Sequence, residues 1–119
     1  MMPRLEELMS NSSTKTVDDM IYERRAQICK AFANTSRLKI LDLLSGGEHT
    51  VTELQDELGA AQANISQHLA ILKSAGVVDT RRQGNQVFYF LAIPEVRQAC
   101  QLISNVLRAQ IRNGRKLVV

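Results

Sequence analysis

The sequence is poor in the residue types on which several large classes of protein depend. It has two cysteines and two histidines among 119 residues. Cys29 and Cys100 lie far apart and form no Cys-x-x-Cys pair, so we exclude a disulfide framework like that of small secreted domains. We also find no Ser-His-Asp set, metal motif, phosphate-cradling glycine loop or plausible carboxylate pair, which argues against an enzyme.

Long apolar runs are missing as well. No stretch approaches the roughly twenty consecutive apolar residues that a membrane-spanning helix needs. Positions 1–9 include Arg4, Glu6 and Glu7 and have no signal-peptide core. We therefore expect a cytoplasmic, soluble protein with no membrane partner. The length allows one domain, expected at positions 16–112 between a flexible segment at 1–15 and a tail at 113–119.

The residues that are present predict a mainly α fold with about five helices and one small β-hairpin. Thr16 and Thr50 are each followed three residues later by an acidic residue, which is typical of a capping box at a helix start. Gly59 ends the third helix and Pro94 begins the last one. Between them, β-branched and aromatic residues flank "QGN", which predicts the tip of a hairpin.

Two short helices joined through Gly59 and followed directly by a hairpin indicate a winged helix-turn-helix. In that arrangement the second helix lies in the DNA major groove, where Gln and Asn side chains can bond to adenine. The apolar residues Ile65, Leu69 and Leu72 form one stripe of this helix, and Gln67 lies nearly opposite. We therefore expect DNA contacts from seven residues of the helix: Gln62, Ala63, Asn64, Ser66, Gln67, His68 and Lys73.

The predicted hairpin is basic near its tip. Arg81, Arg82, Asn85 and Gln86 are expected to grip phosphates or enter the minor groove beside the recognition helix; the alternative is a solvated turn. The net charge of +3 is small, so its distribution matters more than its size. The C-terminal cluster of basic residues is interpreted as a solvated face. The expected partner is double-stranded operator DNA.

The stretches "ANTSRLKIL", "ANISQHLAILKSAGVV" and "RRQGNQVFYFL" follow one another at the spacing of the ArsR/SmtB family of repressors. The chain resembles that family from Ile28 to about Leu107. The resemblance implies a homodimer whose first and last helices form the interface, and release from DNA when an inducer binds or oxidises the dimer. A dimer favours an inverted-repeat operator. Thr35 departs from the family's usual Pro, and Ala61 and Ala63 from its usual Ser and Pro.

The same resemblance locates two familiar metal sites, and this sequence has the ligands of neither. The stretch "HTVTELQDEL" lacks the family's Cys-x-Cys pair. The stretch "PEVRQACQLISNVLRAQI" has one Cys and no His, whereas zinc and copper sites need several such ligands. We therefore expect no metal site and no cofactor.

Cys29 and Cys100 lie on the two helices that the resemblance places at the dimer interface. The thiols could then come within bridging distance, inside or between subunits. This gives the hypothesis that an oxidant or reactive sulfur links them and releases the DNA. Persulfide-sensing members carry the first cysteine in the second helix, one helix later than Cys29. The alternatives are inert buried cysteines with a metal or another ligand as inducer, or an interaction domain that does not bind DNA.

Overall fold

Five helices and one β-hairpin make up the described part of the chain, as the sequence predicts. The computed structural model describes residues 15–114. The predicted flexible segment 1–15 and the predicted tail 113–119 lie outside the described residues, except for position 15 and positions 113–114. In chain order the elements are α1 (Val17–Phe32), α2 (Thr35–Ser45), α3 (Val51–Leu58), α4 (Gln62–Ser74), β1 (Val78–Gln83), β2 (Gln86–Leu91) and α5 (Pro94–Arg112).

Three of the five helix starts are fixed by side chains that accept hydrogen bonds from free backbone N–H groups. Both predicted capping boxes are confirmed: Thr16 Oγ1 accepts from the Asp19 N–H at 3.1 Å, and Thr50 Oγ1 from the Glu53 N–H at 3.2 Å. Asn34 caps α2 in the same way. By contrast, α4 begins after Ala61 and has no side-chain cap.

The hairpin is a two-stranded antiparallel sheet with its turn at the predicted "QGN". Gly84 has φ 61°, which suits the first central position of a type II′ turn. Across the strands Arg81 pairs with Phe88 and Arg82 with Val87. Because side chains alternate along a strand, Arg81 and Arg82 project from opposite faces of the sheet.

The core lies between α2, α3, α4 and the base of the hairpin. The stripe Ile65, Leu69 and Leu72 is fully buried, which confirms the predicted inward face of α4. On α2, Leu41 and Leu44 are buried, whereas Leu38 is only half-buried. Ile40, also on α2, is fully buried.

The two terminal helices, α1 and α5, add little to this core. Only Ala31 of α1 is buried, and only Val96 and Cys100 of α5. Large apolar side chains on both helices are exposed in the single chain: Val17, Met20, Ile21, Tyr22 and Ile28 on α1, and Leu102, Ile103, Val106, Leu107 and Ile111 on α5. None of the helices in residues 15–114 combines the length and apolar character needed to cross a bilayer.

Candidate nucleic-acid interface

The helix α4 presents a polar outer face opposite its buried stripe. At 100° per residue, Ala63, Gln67, Ala70 and Ser74 lie on the side away from Ile65, and all four are exposed. We call these four residues the outer face of α4. Of the seven DNA-contacting residues predicted on this helix, six are exposed; His68 is half-buried.

His68 takes part in a contact within the protein. Its Nδ1 lies 3.4 Å from Nη1 of Arg37 on α2. The same guanidinium donates from Nε to the carbonyl of Ala31 at 2.8 Å and from Nη2 to the carbonyl of Lys30 at 3.0 Å. Arg37 therefore connects the C-terminal end of α1 with α4, and His68 is the residue of α4 that it contacts.

Lys73 lies where α4 meets the hairpin. Its ammonium donates to Thr80 Oγ1 of β1 at 3.1 Å. An ammonium group has three donors, so two of them are left for another acceptor. Because Thr80 and Arg82 are two residues apart on β1, they project from the same face of the sheet.

The two predicted arginines of the hairpin have different surroundings. Arg81 forms an ion pair with Glu48 in the loop between α2 and α3. Arg82 is exposed, and within residues 15–114 it has no ion pair. Asn85 and Gln86 are exposed at the hairpin tip. They line an open groove whose other wall is the N-terminal turn of α3, from Thr50 to Glu53.

Packing brings further polar residues to α4 that the sequence reading missed. Lys30 at the end of α1 lines a groove together with Gln67 and Ser74. Ser36 and Lys39 of α2 line a smaller cavity together with Asn64 and His68. Their basic or hydroxyl character is visible in the sequence, but their proximity to α4 depends on how three helices pack.

The two thiols also differ in their environments. Cys29 is exposed on the last turn of α1, so the alternative in which both cysteines are buried core residues is wrong for Cys29 in the single chain. Cys100 is buried on α5. Burial raises the pKa of the Cys100 thiol, and the Asp42 carboxylate raises it further. Residues 15–114 contain no cluster of three or more metal-ligating side chains.

The sequence is similar to known regulators over most of its length. Residues 34–80 match the family described as "Bacterial regulatory protein, arsR family". The chain is 41% identical over 86 residues to the uncharacterized HTH-type transcriptional regulator MJ1325 of Methanocaldococcus jannaschii. The aligned region covers 71% of this chain and 97% of the relative.

Solved structures of similar proteins share the fold. A homodimeric winged helix-turn-helix DNA-binding domain, Mb0332 from Mycobacterium bovis, is 29% identical and matches with a TM-score of 0.75 over 89% of this chain and 98% of that chain. The transcriptional repressor BigR from Xylella fastidiosa is 31% identical and matches with a TM-score of 0.65 over 77% and 96%. The chain belongs to the arsR family of winged helix-turn-helix transcriptional regulators.

Proposed function

We propose that this protein is a homodimeric, sequence-specific DNA-binding repressor that leaves its operator when its thiols are modified. The observation that carries the DNA-binding part is the arrangement of α4, whose buried stripe lies directly opposite an exposed outer face that includes Gln67. Arg82, which forms no ion pair within residues 15–114, lies on the adjoining hairpin. Repression is also the activity named for BigR, which has the same fold.

The side chains divide by what they can bind. On α4, the amide and hydroxyl groups of Asn64, Ser66 and Gln67 suit base edges, and Ala63 allows close approach to the groove. Gln62 precedes them on the first turn. Phosphate contacts come from Lys73, Arg82 and the tip residues Asn85 and Gln86. Because His68 is engaged by Arg37, its role is to orient α4.

A second copy of the chain is the proposed partner for the exposed apolar faces of α1 and α5. Patches of this kind mark interaction sites on soluble proteins. The similar domain Mb0332 is described as homodimeric. A twofold dimer favours an inverted repeat whose half-sites are about one helical turn, or a multiple of it, apart.

Thiol exchange is the proposed release signal. The exposed Cys29 attacks a sulfur of a disulfide or polysulfide donor; the donor's S–S bond breaks and one fragment leaves as a thiolate. Cys100 then loses its proton to solvent and attacks the Cys29 sulfur, which links the two residues and releases the second fragment as a thiolate. Cys29 directly precedes Lys30, whose carbonyl accepts from Arg37. A displacement of this helix end by the new bond would therefore move Arg37 and alter its contact with His68 on α4.

The DNA-binding part is tested by selecting a duplex from a random pool and measuring affinity for it and for a scrambled duplex. Gln67→Ala should cost about 1–3 kcal/mol on the selected duplex and relax the preference at one base position, because one base contact is lost. Ser74→Ala, two turns further along the outer face, is the matched control. If wild type binds both duplexes equally, specific repression is excluded.

The thiol part is tested on the selected duplex with wild type, Cys29→Ser and Cys100→Ser, each reduced and then treated with a polysulfide donor. Treated wild type should lose affinity, and mass spectrometry should find the two cysteines linked. Neither single variant can form that link, so both should keep most of their affinity. If treated wild type keeps its affinity with both thiols unmodified, another ligand is the inducer.

A further inference from the structure

The guanidinium of Arg81 makes four contacts within the protein. Its Nε donates to Glu48 Oε2 at 2.7 Å, and its Nη2 donates to Glu48 Oε1. Its Nη1 donates to Gln83 Oε1 at 2.9 Å. The charged group also lies 4.5 Å from the centroid of the Phe88 ring, its cross-strand neighbour. A planar guanidinium held on two edges and one face has a fixed position.

These contacts join the hairpin to the start of the helix-turn-helix. The loop that carries Glu48 also forms a bridge with β2, in which His49 N–H donates to the Tyr89 carbonyl at 3.0 Å and Tyr89 N–H to the His49 carbonyl at 2.8 Å. Tyr89 lies opposite Thr80, one pair closer to the hairpin base than Arg81 and Phe88. The ion pair with Glu48 is therefore the outermost of these attachments between the hairpin and the body of the domain.

Arg81 and Arg82 differ in whether a carboxylate of residues 15–114 neutralises their charge. The Glu48 carboxylate neutralises Arg81, and the hydrogen bond from Arg81 lowers the pKa of Glu48, so Glu48 is ionised at neutral pH. Arg82 projects from the opposite face, the one that carries Thr80 and its bond to Lys73. Among the described residues no carboxylate pairs with Arg82, so a phosphate would meet Arg82 without displacing one of them.

We infer that Arg81 is a positioning residue: with Glu48 it sets the angle at which the hairpin leaves the helix-turn-helix, so that Arg82 meets the DNA backbone. This inference rests on the proposed DNA-binding function. It replaces the expectation that Arg81, like Arg82, grips phosphates or enters the minor groove, and it assigns a role to Glu48, an acidic residue beside the hairpin.

The experiment compares Glu48→Gln, Arg81→Gln, the exchanged pair Glu48→Arg with Arg81→Glu, and Arg82→Gln as the matched control. Affinity for the selected duplex is measured across a range of salt concentrations. Glu48→Gln and Arg81→Gln should each lower affinity about two- to fivefold, the size expected of one exposed ion pair, with an unchanged salt slope. The exchanged pair should recover affinity. Arg82→Gln should reduce the salt slope by about one unit, since one phosphate contact is lost.

Two outcomes would overturn the inference. If Arg81→Gln reduces the salt slope by about one unit and the exchanged pair does not recover, Arg81 contacts phosphate. If Glu48→Gln raises affinity and steepens the slope, Glu48 restrains a phosphate-binding arginine.

Amide hydrogen exchange over residues 82–88 in the free protein gives a readout that needs no DNA. Glu48→Gln and Arg81→Gln should both speed exchange there, and Arg82→Gln should not. A protein that binds no duplex specifically but shows this pattern would refute the proposed function and retain the positioning role of Arg81. Unchanged exchange in both variants would refute that role.

Discussion

At the scale of single residues, the two thiols should differ in reactivity. Burial raises the pKa of Cys100 above its ordinary value of 9.0, so its thiolate fraction at any pH is smaller than that of a free cysteine. Cys29 is exposed. With iodoacetamide at pH 8, we expect Cys29→Ser protein, which retains Cys100, to be alkylated at least about tenfold more slowly than Cys100→Ser protein. Equal rates in the native state would contradict this; equal rates in urea are the control.

The sequence predicted the chemistry of single residues better than their partners. The alternation of a strand is enough to place Arg81 and Arg82 on opposite faces. It cannot tell which of them meets Glu48, because that residue lies in a loop two helices earlier in the chain. His68 is similar: its polar side chain led to the expectation of a DNA contact, but its contact with Arg37 depends on the packing of α2 against α4.

At the scale of elements, the start of α4 lacks a side-chain cap, because Ala61 occupies the N-cap position. Ala61 has φ −67° and ψ 144°, an extended conformation that serine adopts readily. We expect Ala61→Ser to raise the free energy of unfolding by about 1 kcal/mol, since its hydroxyl can accept from a free N–H of the first turn. Chemical denaturation measures this. Ala60→Ser, one residue outside the cap and partly packed against the core, should bring no gain, and an equal gain from both would exclude capping as the cause.

The hairpin should loosen in acid through Glu48. The hydrogen bond from Arg81 lowers the pKa of Glu48 in the folded protein below its ordinary value of 4.5. The stabilisation is therefore complete above that ordinary value and is lost as the pH falls through the lowered one. We expect amide exchange in residues 82–88, corrected for its intrinsic pH dependence, to accelerate below about pH 4.5 in wild type. In Glu48→Gln the corrected exchange should be faster at neutral pH and independent of pH over this range; an acid response there would assign the loosening to another group.

Element boundaries were largely predictable because they depend on local chemistry. The capping boxes at Thr16 and Thr50, the turn at Gly84 and the proline at the start of α5 each act within a few residues of themselves. Burial was less predictable. Apolar residues recur along α5 at helical spacing, yet only Val96 and Cys100 are buried in the single chain.

At the scale of the whole molecule, the core is complete without the outer half of α5. Leu102 is 63% exposed and Val106 is 58% exposed, and they lie one turn apart on the same face of the helix. Replacing them should leave the fold of the single chain intact, since neither packs in the core. Their exposure has a physical reason only if a second surface covers them.

We therefore expect Leu102→Glu with Val106→Glu to convert the dimer to a monomer. In a homodimer this pair of changes removes four apolar side chains and places four carboxylates at the interface. Burying one such side chain contributes about 1.5–3 kcal/mol, so the dimer dissociation constant should rise at least about a thousandfold. Light scattering at micromolar concentration measures the mass, and circular dichroism checks that the helices remain. Ile93→Glu, at a 52% exposed position just before α5, is the control and should stay dimeric.

A monomeric variant should also bind the inverted repeat with the affinity of a single half-site, because its second recognition helix is no longer held in register. A double variant that remains a dimer, or a wild type that is already a monomer, would place the partner surface elsewhere.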